Sequence, residues 1–152
     1  MKALIPPPVV LLICGLLMWL ADKRTPSLDF QIRSRMILFW LILFGGMCVL
    51  AFGVVNIIRR KTTIHPDRRS LAASTALVTT GVFRYTRNPI YLGMAIILTA
   101  WVIFLESWLA VIGVFVFIAF ITQYQIRPEE VALEKIFGDV YVRYRKNVRR
   151  WI

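Results

Sequence analysis

Residues 36–58 read MILFWLILFGGMCVLAFGVVNII, twenty-three consecutive positions without a charge. A helix rises about 1.5 Å per residue and the hydrocarbon core of a bilayer is about 30 Å thick, so one helix of this length can cross it. Three further apolar runs accompany it: Leu4 to Leu20, Ile90 to Leu105, and Ser107 to Ile126. The last is long enough on its own, whereas the first and third are short. All four are continuously apolar, which suits helices; barrel strands would alternate. The expected fold is therefore all-α: an integral membrane protein with about four transmembrane helices, a cytoplasmic loop and an interfacial C-terminal helical tail. Only Glu106 and Ser107 separate the end of the third run from the bulk of the fourth, which predicts a helical hairpin. With no repeat or linker in 152 residues, one domain over 1–152 is the simplest organisation.

The charges fall between these runs. Nineteen Lys and Arg against eight acids give a net charge of +11. Such an excess can mark a nucleic-acid binder, but the basic residues lie beside apolar spans, where anionic lipid headgroups are the expected partner. Segment 59–89 holds Arg59, Arg60, Lys61, Arg68, Arg69, Arg84 and Arg87 against Asp67, and the tail from Arg127 is also basic. Four spans place the start, this segment and the tail on one side, and basic flanks prefer the cytoplasm. Both termini are thus expected to be cytoplasmic, with Glu106 outside. The first run reads as a retained span starting at the last proline of Pro6-Pro7-Pro8, because MWLADKR offers no small-x-small cleavage site. Cys14 and Cys48 fall inside spans and read as packing residues. The single histidine, His65, has no partner cluster, so no metal site is expected.

The segment before the third run is too long for a plain turn. LAASTALV, residues 71–78, suits a short surface helix; TTG then breaks it, and VFRYTR interleaves aromatic and basic residues. An interfacial belt of Arg and Tyr would explain this pattern, and so would a working loop. At Asn88-Pro89 a helix should begin, with Asn88 as N-cap and Pro89 at the first position. Its first amides and positive dipole end suit a carboxylate or phosphate, with Arg84 and Arg87 adding charge. Tyr91 lies on the same side of the first turn, and Gly93 would admit a neighbouring helix or a flat ligand.

In the tail, Arg127-Pro128 reads as a break after which Pro128 opens a helix with Glu129 and Glu130 in its first turn. Those acids serve the helix start, or hold a cationic ligand group. Gly138 should stop or bend that helix. Beyond it Tyr141, Tyr144, Val148 and Trp151 recur at three- and four-residue spacing, predicting an amphipathic helix that docks on the membrane or covers a ligand.

LVTTGVFRYTRNPIYLG, residues 77–93, resembles the cofactor motif of the isoprenylcysteine carboxyl methyltransferase and phospholipid methyltransferase superfamily: Thr-Gly, an aromatic-Arg stretch, then Arg-His-Pro-x-Tyr-x-Gly. EEVALEKIFGDVYVRYRKNVRRWI, residues 129–152, resembles its second motif of Glu-Glu, Leu, Phe-Gly, Tyr, Tyr and Arg. The likeness covers roughly residues 36–152, to small prokaryotic members. It implies methyl transfer from S-adenosylmethionine to a lipophilic acceptor entering from the bilayer, in the inner membrane. Arg87 would contact an acidic acceptor or headgroup as the catalytic contact. Asn88, Tyr91, Gly93, Glu129, Glu130, Tyr141 and Tyr144 would bind the cofactor, the glutamates taking its ammonium and the tyrosines flanking its adenine. Asn88 stands where the family has histidine, so any role needing an imidazole is lost. Competing readings are a scaffold or lipid-binding protein without catalysis, and an NADPH-dependent membrane reductase. A prenylated acid, a phospholipid amine or a small lipophilic metabolite would each suit a lateral entrance.

Overall fold

The computed structural model describes residues 5–25, 31–61 and 77–152. His65 and most of the surface helix expected over 71–78 lie outside them. Among the described residues the chain is helical: α1 (Pro7–Arg24), α2 (Arg35–Lys61), a short 3-10 helix (Gly81–Arg84), α3 (Pro89–Leu105), α4 (Trp108–Ile121), a π turn (Thr122–Ile126), α5 (Arg127–Phe137) and α6 (Asp139–Asn147).

Proline, with its φ already helical and no N–H to lose, opens α1 at Pro7, one residue before the expected start. Its last turn carries Lys23 and Arg24, favourable at the negative end of the dipole. The Thr25 hydroxyl closes that end by donating to the Ala21 carbonyl at 2.8 Å. At 27 residues, α2 is about 40 Å long. One of its faces is large and apolar yet exposed, with Ile37, Trp40, Leu41 and Phe44 each more than 60% accessible. Lipid is the solvent that makes such a face inexpensive.

Among the described residues, two helical stretches are long and apolar enough to cross a bilayer: Arg35–Ile58 and the continuous run Trp108–Phe137. The expected count of about four is reduced to two on this measure. α3 has only 17 residues, and α1 ends in Asp22, Lys23 and Arg24, which shortens its apolar part.

At the centre lies α3, with Leu98, Ala100 and Val102 almost fully buried. α2 packs antiparallel along one side of it through glycines. A Cβ on Gly93 would stand 2.7 Å from Leu50 and 2.8 Å from the Gly46 carbonyl oxygen, while one on Gly53 would meet Ile90 at 3.0 Å. Small residues let helix backbones approach where water supplies no driving force. On the other side α1 and α4 pack together, and Trp101 on α3 donates its indole N–H to the Gly15 carbonyl at 3.1 Å.

The expected hairpin after α3 is present. Glu106 adopts φ 55, an unusual left-handed conformation for a non-glycine residue, and Ser107 is extended. The Glu106 carboxylate accepts from the Ile32 amide at 2.8 Å and from Arg35 at 2.7 Å. This clasp joins the start of α2 to the α3–α4 turn, at the end of the bundle opposite Asn88.

Arg127-Pro128 does not break the chain. The helix widens into the π turn one step earlier and continues as α5 with no side-chain cap. Proline lacks the N–H that an unbroken α ladder would use, and a wide turn at that point absorbs the mismatch. The real break is Gly138, at φ 51 and ψ −129. Nothing lies within 4 Å of a Cβ built there, so glycine is needed for its conformation rather than for space. α6 ends at Asn147, so Val148 and Trp151 are not helical as expected. The chain instead turns back, and the Trp151 indole donates to the Thr122 hydroxyl at 3.2 Å.

Candidate functional site

The segments 77–91 and 129–144 enclose one cavity of about 580 Å³. Its polar wall consists of Arg87, Asn88, Tyr91, Glu129, Glu130, Tyr141 and Tyr144, and its apolar wall includes Ile57, Phe83, Leu133, Ile136 and Phe137. Seven of the eight expected site residues thus meet at one place. Gly93 does not, because it is buried against α2. Arg84, expected at the same mouth, is exposed and outside the lining.

The loop and tail are fastened by backbone groups. The Arg87 amide donates to the Arg149 carbonyl at 3.0 Å. Asn88 occupies the N-cap position of α3, but its side chain does not cap the helix; it donates to the Arg150 carbonyl at 2.9 Å. The Thr86 hydroxyl donates to the same carbonyl at 3.3 Å and accepts from the Asn88 amide at 3.1 Å. On the far side Tyr144 donates its hydroxyl to the Phe83 carbonyl at 2.7 Å.

The polar wall includes a largely buried charge cluster. Glu130 takes a two-pronged contact from Arg150, with Nε to Oε1 at 2.9 Å and Nη2 to Oε2 at 2.7 Å. Arg87 Nη1 stands 3.1 Å from the same Oε1 and 3.4 Å from the Tyr141 hydroxyl oxygen, to which it donates. The two guanidinium groups of Arg150 and Arg87 compensate the burial of the Glu130 carboxylate. The pKa of Arg150 is raised, chiefly by its hydrogen bond to Glu130. With two guanidinium partners, Glu130 has little capacity left for a ligand ammonium. Arg150 was missed by sequence reasoning; the final Arg-Arg pair reads as surface charge until the chain is seen to turn back.

Glu129 has different neighbours. Its Oε1 accepts from the Tyr91 hydroxyl at 2.7 Å and from the Gln125 amide at 2.8 Å. Both donors are neutral, and among the described residues Glu129 has no cationic partner. Opposite it in charge, Arg87 keeps one buried nitrogen, Nε, without a hydrogen-bond partner among the described residues. A buried donor left unpaired costs about 1–3 kcal/mol, so such a group marks a place where a ligand can contribute. Burial pushes the Tyr144 hydroxyl up to about 12 and raises Tyr141 as well, so both phenols stay protonated at neutral pH.

A sequence model of the phospholipid methyltransferase family matches residues 36–140. It spans α2, α3, α4, α5 and the start of α6, hence most of the cavity lining but not Tyr141 and Tyr144. The chain belongs to that family. It is also 50% identical over 62 residues to an uncharacterized protein of Haemophilus influenzae, a match covering 41% of this chain and 98% of that relative. No solved structure matches the chain.

Proposed function

We propose that this protein is an S-adenosylmethionine-dependent methyltransferase whose cofactor lies in the cavity between residues 77–91 and 129–144, and whose lipophilic acceptor reaches it from the bilayer. The observation that carries this reading is the presence on one cavity of Glu129, a carboxylate that among the described residues has only neutral donors, and Arg87, a guanidinium with one nitrogen unpaired among them. An amino-acid terminus offers an ammonium to the first and a carboxylate to the second. Phe83, Leu133 and Phe137 supply apolar surface for a purine, and the volume falls within the range of about 300–1,000 Å³ usual for small-molecule sites. When bound, S-adenosylmethionine supplies a methyl group that is already electrophilic on its sulfonium.

The chain's own residues have three tasks. Glu129 and Arg87 hold the amino-acid end, and Arg87 also offers charge to an anionic acceptor group. Glu130 and Arg150 fix the Arg87 guanidinium. The tail, pinned through Tyr144 and Arg149, keeps water from the reacting atoms. In this reading α1 and α3 cross the membrane beside α2 and α4, with shallow ends, and both termini and the cavity face the cytoplasm.

The test is transfer of labelled methyl from S-adenosylmethionine into a lipid extract by the detergent-purified protein. We expect label in the organic phase, reduced at least about tenfold by Arg87→Ala. A folded, monodisperse sample that transfers nothing and binds NADPH would instead support the reductase reading.

A further inference from the structure

A second concavity, of about 530 Å³, lies away from the cavity and is walled by α1 and α2 with α3 as its floor. Leu12, Leu16 and Trp19 form one wall, Phe39 and Leu43 the other, and Ile97, Leu98 and Trp101 the floor. Its direction can be read from helix spacing. Leu12, Leu16, Trp19 and Lys23 fall on one stripe of α1, and Arg35, Phe39 and Leu43 on one stripe of α2. Both stripes run from apolar groove to exposed cation at the same end of the bundle, the end of the Glu106 clasp. From Leu12 to Lys23 is about 16 Å along the helix, close to half the roughly 30 Å hydrocarbon core, which is one leaflet.

We infer that this groove holds one acyl chain of an anionic phospholipid from the leaflet on the Glu106 side, with its phosphate against Lys23. The inference rests on the membrane placement proposed above and is independent of methyl transfer. A leaflet-long apolar trough with a cation at its mouth is the complement of such a lipid. Arg35 is already paired with Glu106 at 2.7 Å, which leaves Lys23 as the cation on the α1 stripe to meet a phosphate; Asp22 and Glu106 nearby keep the mouth from being uniformly positive. A second copy of the chain fits less well. Helices associate in membranes through small residues, whereas these walls, Gly15 apart, are bulky, with Trp19, Phe39, Trp101, Ile97 and leucines.

Native mass spectrometry of the intact chain, with phosphatidylglycerol or phosphatidylcholine of equal acyl composition added stepwise, tests the assignment. The expected result is one retained phosphatidylglycerol, bound at least tenfold more tightly than phosphatidylcholine. Lys23→Gln should erase that preference, and Leu16→Trp, which fills the groove, should remove the first-bound lipid of either kind. An unchanged first lipid in Leu16→Trp would overturn the proposal, as would a wild-type dimer that this variant dissociates. Should Leu16→Trp fail to fold, Lys23→Gln decides, because it changes an exposed helix end: a phosphatidylglycerol preference that survives it refutes the site. Titration of the same samples with S-adenosylmethionine should be unaffected by Lys23→Gln, and a failure of cofactor binding there bears on the cavity alone.

Discussion

Glu129 and Glu130 are neighbours in sequence, but among the described residues the first meets only neutral donors and the second meets two guanidinium groups. Their substitutions should therefore separate. Glu130→Gln removes the charge that holds Arg87 and Arg150. Arg150 is one third exposed, so the loss should be about 2 kcal/mol rather than that of a fully buried pair, and the thermal midpoint should drop by about 4–8 °C. Glu129→Gln keeps the shape and should change stability by less than about 0.5 kcal/mol, with its effect confined to ligand affinity. A thermal scan of both variants checks this contrast. Local chemistry explains which site residues were legible in the sequence. The helix start at Asn88-Pro89 follows from two adjacent residues, and it is there. The use of the Asn88 side chain does not, because its partner is a carbonyl 62 positions away. Arg150 was invisible for the same reason. Gly93 was read as open to a helix or a flat ligand, and only the approach of Leu50 and Gly46 decides for the helix.

Between elements, the α2–α3 contact brings two backbones together and leaves no room for a side chain at Gly93. Gly93→Ala would press a methyl onto Leu50 and the Gly46 carbonyl and should destabilise the protein by about 1–3 kcal/mol. Gly45→Ala is the control: nothing lies within 4 Å of its Cβ, and alanine is the better helix former. Denaturation of the two variants in detergent should move in opposite directions. At the other end of the bundle, the Glu106 clasp should be sensitive to acid. The Ile32 amide, then Arg35, outweigh desolvation and lower the Glu106 carboxyl in the folded protein. Its contribution is therefore full above the ordinary carboxyl range and fades as pH falls through the lowered value. The stability difference between the wild type and Arg35→Gln should accordingly be constant near neutrality and shrink below about pH 4. Hairpin and helix identity were legible because apolar runs and proline act locally. The π turn was not: Pro128 reads as a stop, and its tolerance depends on how the preceding turn widens.

For the whole molecule, the proposed function depends on bringing two segments, 77–91 and 129–144, nearly forty residues apart in sequence, around one cavity. The fold does this with a hairpin, α3 and α4, whose far end is clasped by Glu106 and whose near end carries both motifs. The order of apolar runs made the hairpin legible, while among the described residues only Arg35–Ile58 and Trp108–Phe137 show a full span by length, and α1 and α3 sit at the short end of the bilayer rule. The most direct test of the account is calorimetric titration of the detergent-purified protein with S-adenosylmethionine, with NADPH as the comparison ligand. The account predicts saturable binding of S-adenosylmethionine, weakened at least about tenfold (about 1.4 kcal/mol) by Glu129→Gln in a protein of unchanged melting temperature. Equal affinity in wild type and Glu129→Gln, or binding of NADPH alone, would contradict it.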